Sequence, residues 1–312
     1  MEKIYLDYAA STPVDPRVFE AMRPYFTEKF GNPGSLHSFG QEAIAAVDKS
    51  RETIAKALGA DFREVIFTGS ATEANNLALR GVIKRFEYRI SNIEYPRIII
   101  SAIEHESVLE TARDLEREGI EVVYLPVDRR GVVDLEKLKE ALNERTVLVS
   151  IMHANNEIGT AQPLFEIHRI IEDFKKRNSS IPQFLNCPLL HSDCAQAFQF
   201  LDCDVDALGV DLMTLSAHKI YGPKGIGALY VRQGKEKNVK LPDSRFQILD
   251  SIATGGGQEF GLRSGTENVP LIVGFAKAVE LAIAVREKEA RRIGDLRDRF
   301  WAELKKIAQK RS

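Results

Sequence analysis

From about residue 40 onward the chain switches, segment after segment, between apolar residues spaced for a helix and short unbroken apolar runs, and this alternation narrows its fold more than any other feature. Residues 41–58 have helical spacing, 64–68 read as a buried strand, and 73–85 are helical again. The succession continues through strand 97–101, helix 107–118, strand 121–126, helix 135–143, strand 146–152, helix 165–176 and strand 188–192. Continuous apolar strands need cover on both faces, which predicts a three-layer α/β fold: a mostly parallel sheet with helices on both faces. Strands 211–215 and 227–231 follow, and the second, after a Gly-Pro turn, is expected to be an antiparallel neighbour. Asn268-Val269-Pro270 opens a long last helix, with Asn268 as N-cap, Pro270 in the first turn and Gly294 as a candidate break.

With 312 residues, 44% of them hydrophobic and 28% charged, the chain has the composition of a globular protein with a large core. Its 43 basic and 45 acidic side chains leave a net charge of −2, which provides no field to attract nucleic acid or an anionic membrane. Apolar stretches such as 281–285 are too short to cross a bilayer, and Met1–Tyr5 lacks the basic start and apolar run of a signal peptide. A cytoplasmic protein with no nucleic-acid and no membrane partner is therefore expected. Cys187, Cys194 and Cys203 are odd in number and form no Cys-x-x-Cys pair, which argues against a disulfide framework or a thiol-rich zinc site. No repeat appears, so one large domain is expected, with at most a smaller companion. Leu296, Phe300, Trp301 and Leu304 on the last helix call for something to pack against.

Four segments lie at the carboxyl ends of predicted strands, where open parallel sheets bind ligands. Phe67–Asn75 is a small-residue turn opening a helix, whose free N–H groups and Thr72 hydroxyl suit a phosphate; the competing reading is a turn in which Ser70 or Thr72 only caps the helix. Lys219, between a strand and a glycine-rich turn, is a candidate amine nucleophile toward an aldehyde, or an exposed loop lysine. Asp193 ends a strand, where it could pair with a cationic ring nitrogen or cap a helix, and Gln196 is one turn further on. His105 follows a strand and either stacks on a ligand or hydrogen-bonds structurally. His191-Ser192-Asp193-Cys194 matches no usual metal-ligand spacing. Together these groups are what is needed to hold pyridoxal phosphate. No Gly-x-Gly-x-x-Gly or Walker loop is present, which lowers the dinucleotide and nucleotide readings.

The ordered combination of residues 5–13, Gly69-Ser-Ala-Thr-Glu-Ala-Asn-Asn76, Glu104-His-Glu-Ser-Val108, His153-Ala-Asn-Asn-Glu-Ile-Gly159, Ser216-Ala-His-Lys-Ile-Tyr-Gly-Pro-Lys-Gly225 and 255–266 resembles the cysteine desulfurases over nearly the entire chain. The resemblance implies the type I fold of pyridoxal-phosphate-dependent transferases, of the class V aminotransferase kind. It also implies a homodimer that converts L-cysteine to L-alanine, leaving a persulfide for iron–sulfur cluster assembly or transfer to an acceptor or scaffold protein. By resemblance, Lys219 is the lysine that links to the cofactor, Asp193 the acid on the pyridine nitrogen, Gln196 the partner of the ring hydroxyl, and His105 the stacked histidine that moves protons. Ala71, Thr72, Ser216 and His218 fall on phosphate-binding positions, Thr266 on a threonine reaching the phosphate from the other subunit, and Asn156 near cofactor and substrate carboxylate. No metal is implied.

The implied domains are an N-terminal segment, 1–15, packed with a small domain; a cofactor-binding domain, 16–262; and the interdomain helix with the start of the small domain, 263–312. Two departures stand out. Residues 178–189 are longer than in many desulfurases, a feature shared, like Gly255-Gly-Gly-Gln-Glu259, with selenocysteine lyases. In the family the sulfur-accepting cysteine and the carboxylate-gripping arginine lie in a small C-terminal domain beyond the point matched by Ser312, and none of the three cysteines here corresponds to that cysteine. The alternatives to a desulfurase are thus a selenocysteine lyase or a truncated, non-catalytic homologue serving as a binding or assembly partner. Cys194 is expected to be a small buried residue beneath the ring.

Overall fold

A computed structural model describes residues 3–89, 96–178, 187–233 and 248–309. In chain order the elements are α1 (Pro16–Met22), α2 (Pro24–Thr27), α3 (Ser38–Leu58), β1 (Val65–Thr68), α4 (Ala71–Arg89), β2 (Arg97–Ser101), α5 (Glu106–Arg117), β3 (Glu121–Leu125) and α6 (Leu135–Ala141). They continue with β4 (Thr146–Ser150), α7 (Leu164–Arg177), β5 (Leu189–Asp193), α8 (Val205–Leu208), β6 (Leu212–Ser216), β7 (Gly227–Val231) and α9 (Val269–Gln309). The strands form one seven-stranded sheet in the order β1-β7-β6-β5-β4-β2-β3. All neighbouring pairs are parallel except those of β7, which runs antiparallel to both β1 and β6, as its Gly-Pro entry suggested.

Side-chain alternation along the strands builds the three layers. Ile98, Ile100 and Leu148 pack with Leu77, Val82, Val108 and Ala112 of α4 and α5 on one face. Ile99, Val149, Val65 and Phe67 turn the other way, into a larger core with Val47 and Ile54 of α3, Ile167 and Ile171 of α7, and Ile272, Phe275 and Val279 of α9. Burying a Leu, Ile or Phe side chain contributes about 1.5–3 kcal/mol each, so these two cores hold the sheet between its helices.

The sequence-derived strands and helices are all present, with shifted ends. Helix α3 starts at Ser38 rather than 41 because the His37 ring accepts from Gly40 N at 3.3 Å. Helix α4 starts at Ala71 because Ser70 caps it. Asn268 does cap α9, its Oδ1 accepting from Leu271 N at 3.3 Å. The break expected at Gly294 is absent: α9 runs through it. A lone glycine costs a helix only about 1 kcal/mol, and flanking pairs such as Arg291–Glu287 and Arg292–Glu289 favour continuation. The short helices α1, α2 and α8 left no readable period in the sequence. Most of the 178–189 segment lies outside the described residues. Among the described residues no helix is long and apolar enough to cross a membrane.

Candidate active site

In the strand order, β3 lies outside β2 while β4, β5 and β6 follow on its other side, so the direction of winding reverses between β2 and β4. Such a switch point leaves a crevice between diverging loops at the carboxyl edge. Here the exits of β1, β2, β4, β5 and β6 enclose a cavity of about 300 Å³. Ala71, Thr72, His105, Asn156, Asp193, Gln196, Ser216, His218 and Lys219 all line it. Thr266 does not: it is exposed on the 262–268 loop.

The β1 exit is set by small polar groups. Thr68 Oγ1 donates to Ser70 O (2.8 Å), and Ser70 Oγ accepts from Glu73 N (3.1 Å), so Ser70 and not Thr72 is the cap. Glu73 in turn accepts from Gly69 N (2.7 Å) and pairs with Arg263 (2.7 Å), tying the turn to the later loop. The first N–H groups of α4 open toward the cavity, with the positive end of the helix dipole behind them. Gly227 makes this approach feasible, since a Cβ there would sit 2.7 Å from the Ser70 carbonyl carbon and 2.9 Å from Ala71 N.

At the β6 exit, Ser216 Oγ and His218 Nδ1 are 2.9 Å apart. Burial, aided by the charges of Lys219 and Lys224, lowers the His218 pKa and favours a neutral ring. Lys219 Nζ donates to Ala9 O (2.6 Å) and Ala10 O (3.0 Å). Burial lowers its pKa as well, against the opposing pull of Asp193 and Asp7. Thr12 grips this loop, donating through N and Oγ1 to His218 O (3.1 and 2.9 Å) and accepting from Tyr221 N (2.9 Å). Tyr221 has φ +62°, a strained setting of the kind that clusters at functional sites.

Asp193, 6% exposed, uses Oδ1 to accept from Ala195 N (2.9 Å) and Oδ2 to accept from Asn75 Nδ2 (2.8 Å). Asn75 Nδ2 also donates to Ser107 Oγ (2.7 Å), which lies 2.9 Å from His105 Nδ1. His105 is at the same time the N-cap of α5, its Nδ1 accepting from Ser107 N (3.1 Å). The acid and the histidine are therefore joined through Asn75 and Ser107. The sequence reading missed both, although Asn75 sits in the quoted phosphate-loop motif and Ser107 in the His105 motif. It also missed Glu104, whose Oε1 accepts from Ser101 Oγ (2.5 Å) and Met152 N (2.8 Å), linking the exits of β2 and β4. Gln196 Nε2 donates to Ala9 O (2.7 Å), so the N-terminal segment holds two cavity residues at once.

Cys187, Cys194 and Cys203 are free, buried and absent from the cavity lining. Cys194 is buried as expected, but it faces the α3/α9 core rather than the cleft. Both ring nitrogens of His191 are engaged, with Ser150 (2.8 Å) and Thr214 (3.1 Å), so it is a structural residue of the core.

A sequence profile described as aminotransferase class-V matches residues 4–311. The chain belongs to the class-V aminotransferase family. Within that family it is 45% identical to the cysteine desulfurase IscS of Dictyoglomus turgidum over 97% of its own length and 70% of the relative's, and 48% identical to that of Rickettsia rickettsii over 97% and 68%. Among solved structures a NifS-like protein superposes with a TM-score of 0.86 at 42% identity, covering 98% of this chain and 76% of that one. This class-V aminotransferase is accordingly of the cysteine desulfurase type, and the chain spans about 70% of the length of these curated relatives.

Proposed function

We propose that the cavity holds pyridoxal phosphate and that the chain works on L-cysteine as a homodimer in the cytoplasm, mobilising sulfur toward an acceptor or scaffold protein. The observation that carries this reading is the convergence of Lys219, Asp193, His105 and the α4 N-terminus, drawn from separate strand exits, on one cavity of about 300 Å³. The donor set fits the cofactor. Free N–H groups of α4 with Ser216 and His218 suit a phosphate dianion, Asp193 suits a protonated ring nitrogen, and a half-buried lysine suits an aldehyde. Residues 16–262 would form the cofactor-binding unit, with 1–15 and 263–312 extending toward a smaller one, and Thr266 would serve the partner subunit's site.

When bound, pyridoxal phosphate supplies an electron sink for charge developing at the substrate Cα. Asp193, oriented by Asn75 and Ala195, would keep the ring nitrogen protonated. Lys219 Nζ, more readily neutral because of burial, would take the Cα proton. His105 would exchange protons at Nε2, since Nδ1 is engaged by Ser107. Asn156 and Gln196 would position the substrate carboxylate and the ring hydroxyl. The sulfur must then pass to a thiolate, and all three cysteines of this chain are buried away from the cavity. That observation also favours a second reading, a non-catalytic partner that binds cofactor and substrate.

The test is spectroscopic. The protein should take up pyridoxal phosphate with a visible absorption band that borohydride abolishes, and Lys219→Ala should lack the band; identical spectra for the two would remove the assignment.

A further inference from the structure

On the core side of Asp193, away from the cavity, three ligating side chains meet. His153 follows β4, Cys194 follows Asp193 at the end of β5, and Cys203 directly precedes Asp204, the N-cap of α8. All three are buried, and their ligand atoms lie within 4.8 Å of one another. Cys203 Sγ is 3.8 Å from His153 Nδ1. For metal–sulfur and metal–nitrogen bonds of about 2.3 and 2.0–2.1 Å, the roughly 120° angle of a three-ligand shell sets a sulfur–nitrogen edge of roughly 3.8 Å. One edge is therefore close to its bound length, and small side-chain rotations would close the others.

We propose that His153, Cys194 and Cys203 bind one thiophilic d10 cation, with Cu(I) favoured over Zn(II). Two of the ligands come from strand exits, His153 after β4 and Cys194 after β5, and the third, Cys203, from the turn before α8. His153 N donates to Asp193 O (3.0 Å), Cys194 N to Thr214 O (2.9 Å) and Phe198 N to Cys194 O (3.0 Å). Two thiols with one imidazole are a soft set, which selects Cu(I) or Zn(II) over the harder divalent ions. Coordination number separates those two: structural zinc takes four ligands, and among the described residues this group has three. Coordination sends the two thiol protons to solvent, through the side of His153, the ligand with residual exposure at 7%. The bound ion would join the exits of β4 and β5 to the turn before α8, directly behind the residue pair Asp193–Cys194.

The test uses untagged, reduced, metal-free protein titrated anaerobically with Cu(I) against bicinchoninate and, separately, with Zn(II) against pyridylazoresorcinol. About one equivalent of Cu(I) should be held, with near-ultraviolet thiolate absorption, and X-ray absorption on the wild-type complex should count two sulfur ligands and one nitrogen. Cys194→Ala and Cys203→Ala should each weaken retention at least ~10-fold, since even outer-shell changes cost 10–100-fold. Equal binding by wild type and folded alanine variants, or no binding by wild type, overturns the site. Retention of Zn(II) in preference to Cu(I), or a four-ligand shell, overturns the choice of ion. Should an alanine variant not fold, the ligand count on the wild type decides.

Discussion

Glu104 is fully enclosed between the exits of β2 and β4, and burial raises its carboxyl pKa from 4.5 to about 8, outweighing the hydrogen bonds from Ser101 and Met152 that favour the charged form. At neutral pH the folded protein thus keeps a proton that the unfolded chain gives up. Because the unfolded state binds fewer protons in this window, stability falls as pH rises from about 4.5 to about 8. Glu104→Gln preserves the acceptor oxygen and removes the titration. The urea midpoint of wild type, measured relative to this variant, should decline between pH 5 and pH 8; a constant offset would show that Glu104 titrates alike in both states. Asn75 illustrates a different dependence. Its amide serves Ser107 and Asp193 together, so it sets the orientation of a charged group without touching solvent.

Loops around the cleft are held by contacts between elements far apart in sequence. Glu259 accepts from both terminal nitrogens of Arg51 on α3 (2.7 and 2.8 Å) and from Phe67 N on β1 (2.8 Å). This buried pair holds Glu259 and Phe260 at φ +49° and +57°, a setting that non-glycine residues adopt only under compulsion. Glu259→Ala would strand the Arg51 charge in the core, and a loss of about 3–5 kcal/mol is expected in chemical denaturation. Gly227 acts between β7 and α4. In Gly227→Ala the new Cβ would meet backbone on three sides, Ser70 C at 2.7 Å, Leu215 O at 2.8 Å and Ala71 N at 2.9 Å. None of these atoms can rotate away, so the first turn of α4 must retreat, at a cost of about 1–3 kcal/mol. Pyridoxal phosphate should then leave the variant faster on dialysis, with the protein still folded; unchanged retention would separate the α4 turn from cofactor binding.

Across the molecule, the large apolar investment is in the sheet and its two helical layers, while the far half of α9 presents Leu296, Phe300 and Trp301 to solvent. The cavity residues lie at the carboxyl edge of that sheet, while the three thiols are buried in its two cores. This arrangement predicts a partial reaction. Addition of L-cysteine should change the cofactor spectrum, because that step requires only Lys219 and its neighbours, whereas sulfide and alanine should accumulate at least ~10³-fold more slowly than in a desulfurase with a cysteine at the cleft. Rapid sulfide release abolished by Cys194→Ser, with Cys187→Ser and Cys203→Ser active, would instead place a reactive thiol where the core packing puts a buried one.

The α/β class, the parallel strands and the antiparallel β7 were legible in the chain because strand and helix periods depend on local side-chain alternation and on turn residues such as Gly222 and Pro223. The site residues at strand ends were legible for the same reason: once the strands are placed, their carboxyl edges follow, and Lys219, Asp193, His105 and the α4 turn fall on them. Partnerships were not legible. Asn75 with Asp193, Glu259 with Arg51, Thr12 with His218, and His153 with Cys194 and Cys203 join residues that no period or spacing relates. The pairings around the cavity follow from the strand order, which brings separate exits to one edge of the sheet, whereas Arg51 and Glu259 meet where α3 and a later loop pack beside β1. The same physics turned Cys194 away from the cleft: successive side chains leaving a strand point to opposite sides, so the residue after an inward-facing acid must face the core.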